Sequence, residues 1–313
     1  ERYYGFENFG NTCYCNSVLQ VLYFCKPFRN CVVCYNFPES AENAQNSILH
    51  AMQELFVAIS TQKKRTGVFS PRYFISKLKE ENELFNNTMQ QDAHEMFNYL
   101  LNAIAEILLN QKTEMHANIQ YVYLFTLVKE QTAPTWIHAL FEGQLTNETK
   151  CLNCESITNR VESFLDLSID IDQHSSISSC LRNFSSSEVL YGKNKFFCDT
   201  CNSLQEAEKR MKIKRLPNVL AVHLKRFKFQ EQLGRYSKLS YQVSFPLELR
   251  LFNTADGAEN ADRLYQLHGV VVHIGSSPQS GHYVALIKSE NQWMLFDDDD
   301  VRVRSMMCCI WPC

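Results

Sequence analysis

Apolar residues recur at helical intervals through the first third of the chain and alternate with polar ones further on. After Asn11-Thr12, two residue types that start helices, Val18, Leu19, Leu22 and Tyr23 follow at helical spacing. Ile48, Leu55, Phe56 and Ile59 do the same within residues 44–61, and Ser70-Pro71 marks another start before Tyr73, Phe74 and Leu78. Phe97, Leu100, Leu101, Ile104, Ile107 and Leu108 form one stripe, predicting a helix over 87–109. Residues 112–134 show no period and read as a connector. Beyond them the texture is β. Short strands are predicted at 137–141 and 144–146, and an apolar/polar alternation predicts one at 165–171. Residues 219–229 read as a strand whose phase shifts at Phe227, and later strands fall at 241–245, 265–274, 283–288 and 293–296. Loops are expected around Asp256-Gly257 and between Gly275 and Gly281. The layout is α+β.

Composition narrows the function. A chain of 313 residues, 45% hydrophobic, can bury one large core or two medium ones. Its net charge of −3, without a long basic run, argues against nucleic acid or an anionic membrane as the main partner. No apolar run reaches the ~20 residues of a membrane span. Thirteen cysteines would suit a secreted disulfide framework, but four of them form two CxxC pairs, which points to a reducing compartment.

Those pairs, Cys151-Leu-Asn-Cys154 and Cys198-Asp-Thr-Cys201, can close a tetrahedral site with no open position, the donor set of one structural Zn2+. Cys31-Val-Val-Cys34 lies in the helical part and reads as core or surface thiols. Cys13 falls in the first turn of the first predicted helix, where unpaired N–H groups and the helix dipole favour a thiolate. The alternative is a buried structural cysteine. A thiol hydrolase also needs a base and a group to orient that base. Of nine histidines, His282 in SGHYVALIK follows a glycine and opens an apolar strand, with His273 in VVVHIG as its rival. Fifteen residues after His282, Asp297 follows Phe296, where an adjacent strand would return it to the histidine. Asp299 and Asp300 read as a solvated turn. Gln90, Gln91, Asp92 and Glu95 open a helix, where polar residues ordinarily cap it and face solvent.

GFENFGNTCYCNSVLQVL resembles the cysteine box of the ubiquitin-specific proteases, and GHYVALIK followed by WMLFDDDDV resembles their histidine box. FEGQLTNETKCLNC, VLAVHLKRFKF and KLSYQVSFPLEL match between them, in the family's order. The resemblance implies a papain-like fold in one catalytic domain over 1–313, with a helical thumb over about 1–135, zinc-bearing fingers over 136–235 and a palm over 236–313. It implies hydrolysis of the isopeptide bond at the C-terminal glycine of ubiquitin. Cys13 matches the nucleophile, His282 the base, Asp297 its orienter, Asp298 an assisting carboxylate of some members, and Asn8 the oxyanion donor. Gln91, Asp92 and Glu95 match a box whose acidic pair holds the arginines of ubiquitin's tail. The short connectors resemble a compact branch that depends on a WD40-repeat partner, and the expected location is cytoplasmic, nuclear or both. One departure keeps a second class open, a ubiquitin reader that no longer turns over. After Val301 the sequence RVRSMMCCIWPC replaces the family's helix and closing aromatic strand, so the sheet carrying His282 and Asp297 would lack an edge strand.

Overall fold

The computed structural model describes residues 1–38, 46–87, 89–117, 134–231, 234–277 and 280–304, with backbone alone over 112–117. The chain forms two compact units, one of Glu1–Leu140, Phe227–Lys238 and Leu267–Cys313, the other of Phe141–Arg226 and Leu239–Gln266.

The first unit is built around helix α1 (Cys13–Phe24), of which every residue except Val21 is buried. A helix buried on all sides belongs in a core, and its polar members need partners there. Gln20 accordingly donates from Nε2 to the Tyr4 carbonyl at 2.7 Å. Helices α2 (Lys26–Val33), α3 (Ile48–Ser60), α4 (Arg72–Glu81) and α5 (Ala93–Ala117) belong to the same helical part. Tyr23 meets Phe56 edge-on at 5.2 Å, and Phe24 meets Phe296 at the same distance. Each such fully buried ring contributes roughly 1.5–3 kcal/mol. Phe296 belongs to an antiparallel sheet ordered Gly269–Ser277, Ser280–Ser289, Gln292–Asp297, Asp300–Arg304, against which α1 packs. Strand β1 (Tyr3–Phe6) pairs in parallel with β2 (Thr66–Phe69), and its Phe6 N–H donates to the Asp298 carbonyl at 2.7 Å.

The second unit carries a sheet ordered Thr254–Glu259, Ala207–Arg215, Gly143–Cys151, Ile157–Phe164, with Glu188–Leu190 also paired to Ala207–Arg215. Leu167, Ile169, Ile213, Leu216 and Leu251 pack with Leu181, which comes from helix Ile177–Phe184. Ser176 and Ser179 close a reciprocal cap at that helix's start.

Several elements depart from the pattern-based reading. Residues 137–141 belong to a short helix, Trp136–Phe141, rather than a strand. Thr135 Oγ1 accepts from the His138 N–H at 3.4 Å, and Ile137 and Phe141, four apart, are both buried. Helix α5 starts at Ala93 rather than Asn87, because Asp92 Oδ1 caps it through the His94 N–H at 2.7 Å. It also runs to Ala117, into the predicted connector, whose residues 118–133 lie outside the described residues. The phase shift at Phe227 is a break between strands Val222–Leu224 and Phe227–Gln230. Asp256-Gly257 lies inside strand Thr254–Glu259, where the register slips and Gly257 takes φ +78°. The loop expected between Gly275 and Gly281 is shortened by paired strands that reach Ser277 and Ser280. Strand Asp300–Arg304 borders the last sheet and takes in the first three residues of the atypical stretch 302–313, whose residues 305–313 lie outside the described residues.

Candidate functional site

Cys13 is the first residue of α1 and is 3% exposed. The loop before it turns through Gly10 and Asn11, both at positive φ. Thr12 occupies the cap position but makes no side-chain cap bond to the helix. Its hydroxyl instead accepts from the Phe9 N–H at 3.0 Å and donates to Asn8 Oδ1 at 3.2 Å. The helix-start amides are therefore left facing the sulfur. They do not prevail at rest: burial pushes the Cys13 thiol up, and the negative charge of Asp298 adds to that effect. The backbone N–H groups of Tyr283, Tyr14 and Cys13 itself oppose it. The thiolate expected from the helix start is thus overruled by desolvation, and the resting sulfur is a thiol.

His282 stands on strand Ser280–Ser289, next to the Tyr283 whose N–H faces the sulfur. Its Nε2 meets Asp297 Oδ1 at 2.5 Å, and Asp298 Oδ2 lies 4.0 Å from the same nitrogen. Nδ1 is consequently the nitrogen free to take a proton. Among the described residues no hydrogen bond joins Cys13 to His282; the sulfur's side-chain neighbour is Gln90, whose Nε2 reaches it at 3.8 Å. The rival His273 is disqualified by its surroundings. Its ring lies edge-on to Tyr283 at 4.8 Å and to Phe227 at 5.4 Å, and neither ring nitrogen has a hydrogen-bond partner. Burial, aided by the positive charge of Lys238, pushes it down to about 4, so it is neutral at physiological pH.

Asp298 adopts the left-handed conformation (φ 50°), and its carboxylate takes two amide donors, Asn8 Nδ2 at 2.7 Å and Asn16 Nδ2 at 2.8 Å. Asn8 is exposed and beside Cys13, and its Oδ1 accepts from the Thr12 N–H at 3.1 Å. Cys13, Asn8, His282, Asp297 and Asp298 therefore meet at one end of α1. Sequence reasoning missed Gln90 as a neighbour of the sulfur and missed Asn16. The signal for Asn16 was present: an amide three residues beyond Cys13, on a helix whose apolar residues mark it as core, needs a buried partner.

Asp92 realises the bland expectation of a helix cap, and Gln91 donates to Asn87 Oδ1 at 2.9 Å. Glu95 is exposed in the first turn of α5. This box is adjacent to the site, because the Tyr283 hydroxyl accepts from the Ala93 N–H.

In the second unit, Cys151, Cys154, Cys198 and Cys201 bring their sulfurs within 4.8 Å of one another. Cys151–Cys201 and Cys154–Cys198 are 3.9 and 3.5 Å apart. A tetrahedral ion with metal–sulfur bonds of ~2.3 Å needs sulfurs ~3.8 Å apart, close to both of these distances, so the four residues could hold a metal ion. Left-handed Glu155 and Asn202 make the tight turns that aim each pair. The Ser156 hydroxyl lies against Cys154 and Cys198 and lowers both thiols, whereas at Cys201 a hydrogen bond from Asn153 is outweighed by the neighbouring thiols, which push it up.

A buried cysteine at a helix start, an imidazole locked to a carboxylate and a separate four-cysteine group define a thiol hydrolase that carries a metal-binding element. The family model "Ubiquitin carboxyl-terminal hydrolase" matches residues 4–307. The chain is 54% identical to ubiquitin carboxyl-terminal hydrolase 4 of Arabidopsis thaliana, over 97% of this chain and 86% of that protein. It is 53% identical to ubiquitin carboxyl-terminal hydrolase 12 of Salmo salar, over 96% and 82%. Among solved structures it resembles the SAGA Ubp8/Sgf11/Sus1/Sgf73 DUB module bound to ubiquitin aldehyde. There the TM-score is 0.77 at 26% identity, covering 98% of this chain and 67% of that one. The chain belongs to the ubiquitin carboxyl-terminal hydrolase family and is a cysteine-type deubiquitinating enzyme.

Proposed function

We propose that this site cleaves the isopeptide bond at the C-terminal glycine of ubiquitin with Cys13 as nucleophile. As Cys13 Sγ attacks the glycine carbonyl, His282 Nδ1 takes the thiol proton and then returns it to the departing lysine amine. Asp297 holds His282 through Nε2, and Asn8 donates to the oxyanion that develops. Water, deprotonated by the same Nδ1, releases the thioester. The observation that carries the reading is the His282–Asp297 hydrogen bond at 2.5 Å on the strand whose next residue, Tyr283, turns its N–H to the Cys13 sulfur. Exposed Glu95, with Asp92 and Gln91 beside it, would receive the arginines of ubiquitin's tail. The test is a ubiquitin with an electrophilic C-terminus, which should label wild type and not Cys13→Ala. Labelling that persists in Cys13→Ala and disappears in Cys15→Ala or Cys25→Ala would reassign the nucleophile.

The metal in the four-cysteine group is, in this proposal, one structural Zn2+. All four donors come from the chain, which leaves no position for substrate. A reducing compartment, cytoplasm or nucleus, suits an enzyme that needs Cys13 and these four sulfurs unoxidised. A WD40-repeat partner completes the proposal. The missing hydrogen bond between Cys13 and His282 supports it, because a partner that binds the aligned state more tightly would raise kcat. Steady-state hydrolysis of a ubiquitin reporter with and without the partner tests this; full activity alone, unchanged by a partner shown to bind, would exclude it.

A further inference from the structure

Asn16 is 2% exposed and lies one turn beyond Cys13 on α1. Its Nδ2 donates to Asp298 Oδ1 at 2.8 Å and to the Glu7 carbonyl at 3.3 Å. Both partners are pure acceptors, so the amide can face them only with its nitrogen. The other Asp298 oxygen accepts from Asn8 Nδ2 at 2.7 Å, and Asn8 Oδ1 is held by the N–H and hydroxyl of Thr12. A continuous path of hydrogen bonds thus runs from the Glu7 carbonyl through Asn16 and Asp298 to Asn8.

We infer that Asn16 is a positioning residue, which holds the Asp298 carboxylate where that carboxylate fixes the direction of the Asn8 amide. The inference rests on the proposed role of Asn8 and deepens it. One Asn8 N–H is spent on Asp298, and the geometry of that bond dictates where the second N–H of the same nitrogen points. Asp298 has a price: a full negative charge one hydrogen bond from the place where the oxyanion forms. The Asn16 hydrogen bond answers both needs. It anchors the carboxylate on a buried helix, and as a charge-assisted bond it draws part of the charge away from Asn8. Without it the one side-chain hydrogen bond left to Asp298 among the described residues is from exposed Asn8, with His282 Nε2 no nearer than 4.0 Å, and the Asn8 amide turns with it.

The experiment compares wild type, Asn16→Ala, Asn8→Ala and the double variant. Readouts are kcat and KM on a ubiquitin reporter, and affinity for unmodified ubiquitin and for ubiquitin carrying a C-terminal aldehyde, whose adduct with the thiol mimics the oxyanion. Loss of an oxyanion donor is worth about 10²–10³ in rate, and misdirecting one should lower kcat by about 10–100-fold. KM and affinity for unmodified ubiquitin should hold, and affinity for the aldehyde should fall with kcat. In the Asn8→Ala background Asn16→Ala should then have no further effect. Should Asn16→Ala melt below the assay temperature, Asn16→Ser is read in its place. Unchanged kcat and aldehyde affinity in the variant, or an equal loss with and without Asn8, would overturn the inference while leaving the proposed function standing. A wild type inert to reporter and aldehyde alike would overturn both.

Discussion

Replacing Gly5 by alanine should disable the site without touching any side chain proposed to act in it. A Cβ built on Gly5 would stand 2.4 Å from the Asp299 carbonyl oxygen and 2.7 Å from that of Asp298. Ordinary van der Waals contact begins near 3.4 Å, so either β1 or the Asp298-Asp299 turn must retreat by up to about 1 Å. The obstruction is backbone, which cannot rotate aside, and the same turn is tied to β1 by the Phe6 N–H. Asp297, the orienter of His282, directly precedes this turn. Misplacement of a catalytic group by ~1 Å can lower rate about 10²-fold, whereas overpacking of this kind destabilises by roughly 1–3 kcal/mol. Gly5→Ala should therefore lose about 10²-fold in kcat on a ubiquitin reporter, with KM near wild type and a moderately lowered Tm. Gly67→Ala is the control. Its Cβ would meet the Tyr4 ring at 2.6 Å, a side chain in β1 away from the turn, so stability should fall and kcat should hold. A folded Gly5→Ala enzyme with kcat within twofold of wild type would refute the argument that β1 sets the position of Asp297.

Asp297→Asn should lower kcat by on the order of 10²–10⁴-fold with little change in KM, because the amide can present its own N–H to Nε2 and so leave the wrong tautomer; an effect confined to KM would remove Asp297 from this role. Freshly purified, reduced protein should contain one zinc per chain, and a strong chelator should lower Tm before it lowers activity at low temperature; a metal content of zero would dismiss the metal. His273 is held neutral down to about 4, below its ordinary 6.5. As pH falls from 6.5 towards 4 the unfolded chain takes up a proton that the folded one refuses, so stability must fall across that window. Allowing for the ring's partial exposure, wild type should lose about 1–2 kcal/mol more than His273→Gln in denaturant titrations; equal losses would show that the histidine titrates freely.

The long elements were legible because periodicity survives folding wherever one face, or the whole of an element, is buried. Tyr23, Phe56 and Phe74 sit in the core of the first unit, as their helical spacing required. Short elements were not legible. Residues 137–141 are a short, mostly apolar run that suits a strand as well as a helix, and a threonine cap with an apolar pair four apart is enough for one and a half turns of helix. The gross site was legible through the resemblance of its motifs to the cysteine and histidine boxes: Cys13, His282 and Asp297 come together although 269 positions separate the first two. What could not be read was anything set by close approach in three dimensions. The ionisation of Cys13 depends on burial and on Asp298, neither of which its local sequence reveals. Only the folded chain shows that the missing side chain of Gly5 makes room for the Asp298-Asp299 backbone.

That ionisation bears on how the site would work. A thiolate stabilised at rest would lower the energy of the ground state as well as that of the reaction's later stages, and such uniform stabilisation does not accelerate the chemical step. Here desolvation keeps the proton on sulfur, and His282, bound to Asp297, is not yet bonded to it. Meanwhile Thr12 turns its hydroxyl away from the helix start, towards Asn8 and Phe9, and leaves the first amides of α1 without a side-chain cap. Those amides face the sulfur and one Asn8 N–H is held by Asp298, so the second Asn8 N–H is the donor that would meet the oxyanion formed when sulfur attacks the carbonyl. The burial of Cys13 that opposes the resting thiolate would strengthen the interactions of the helix-start amides with charge near the sulfur, whereas exposed Asn8 acts in contact with water. A thiol that is hard to ionise in the free enzyme is therefore consistent with a site whose electrostatic stabilisation is reserved for the transition state.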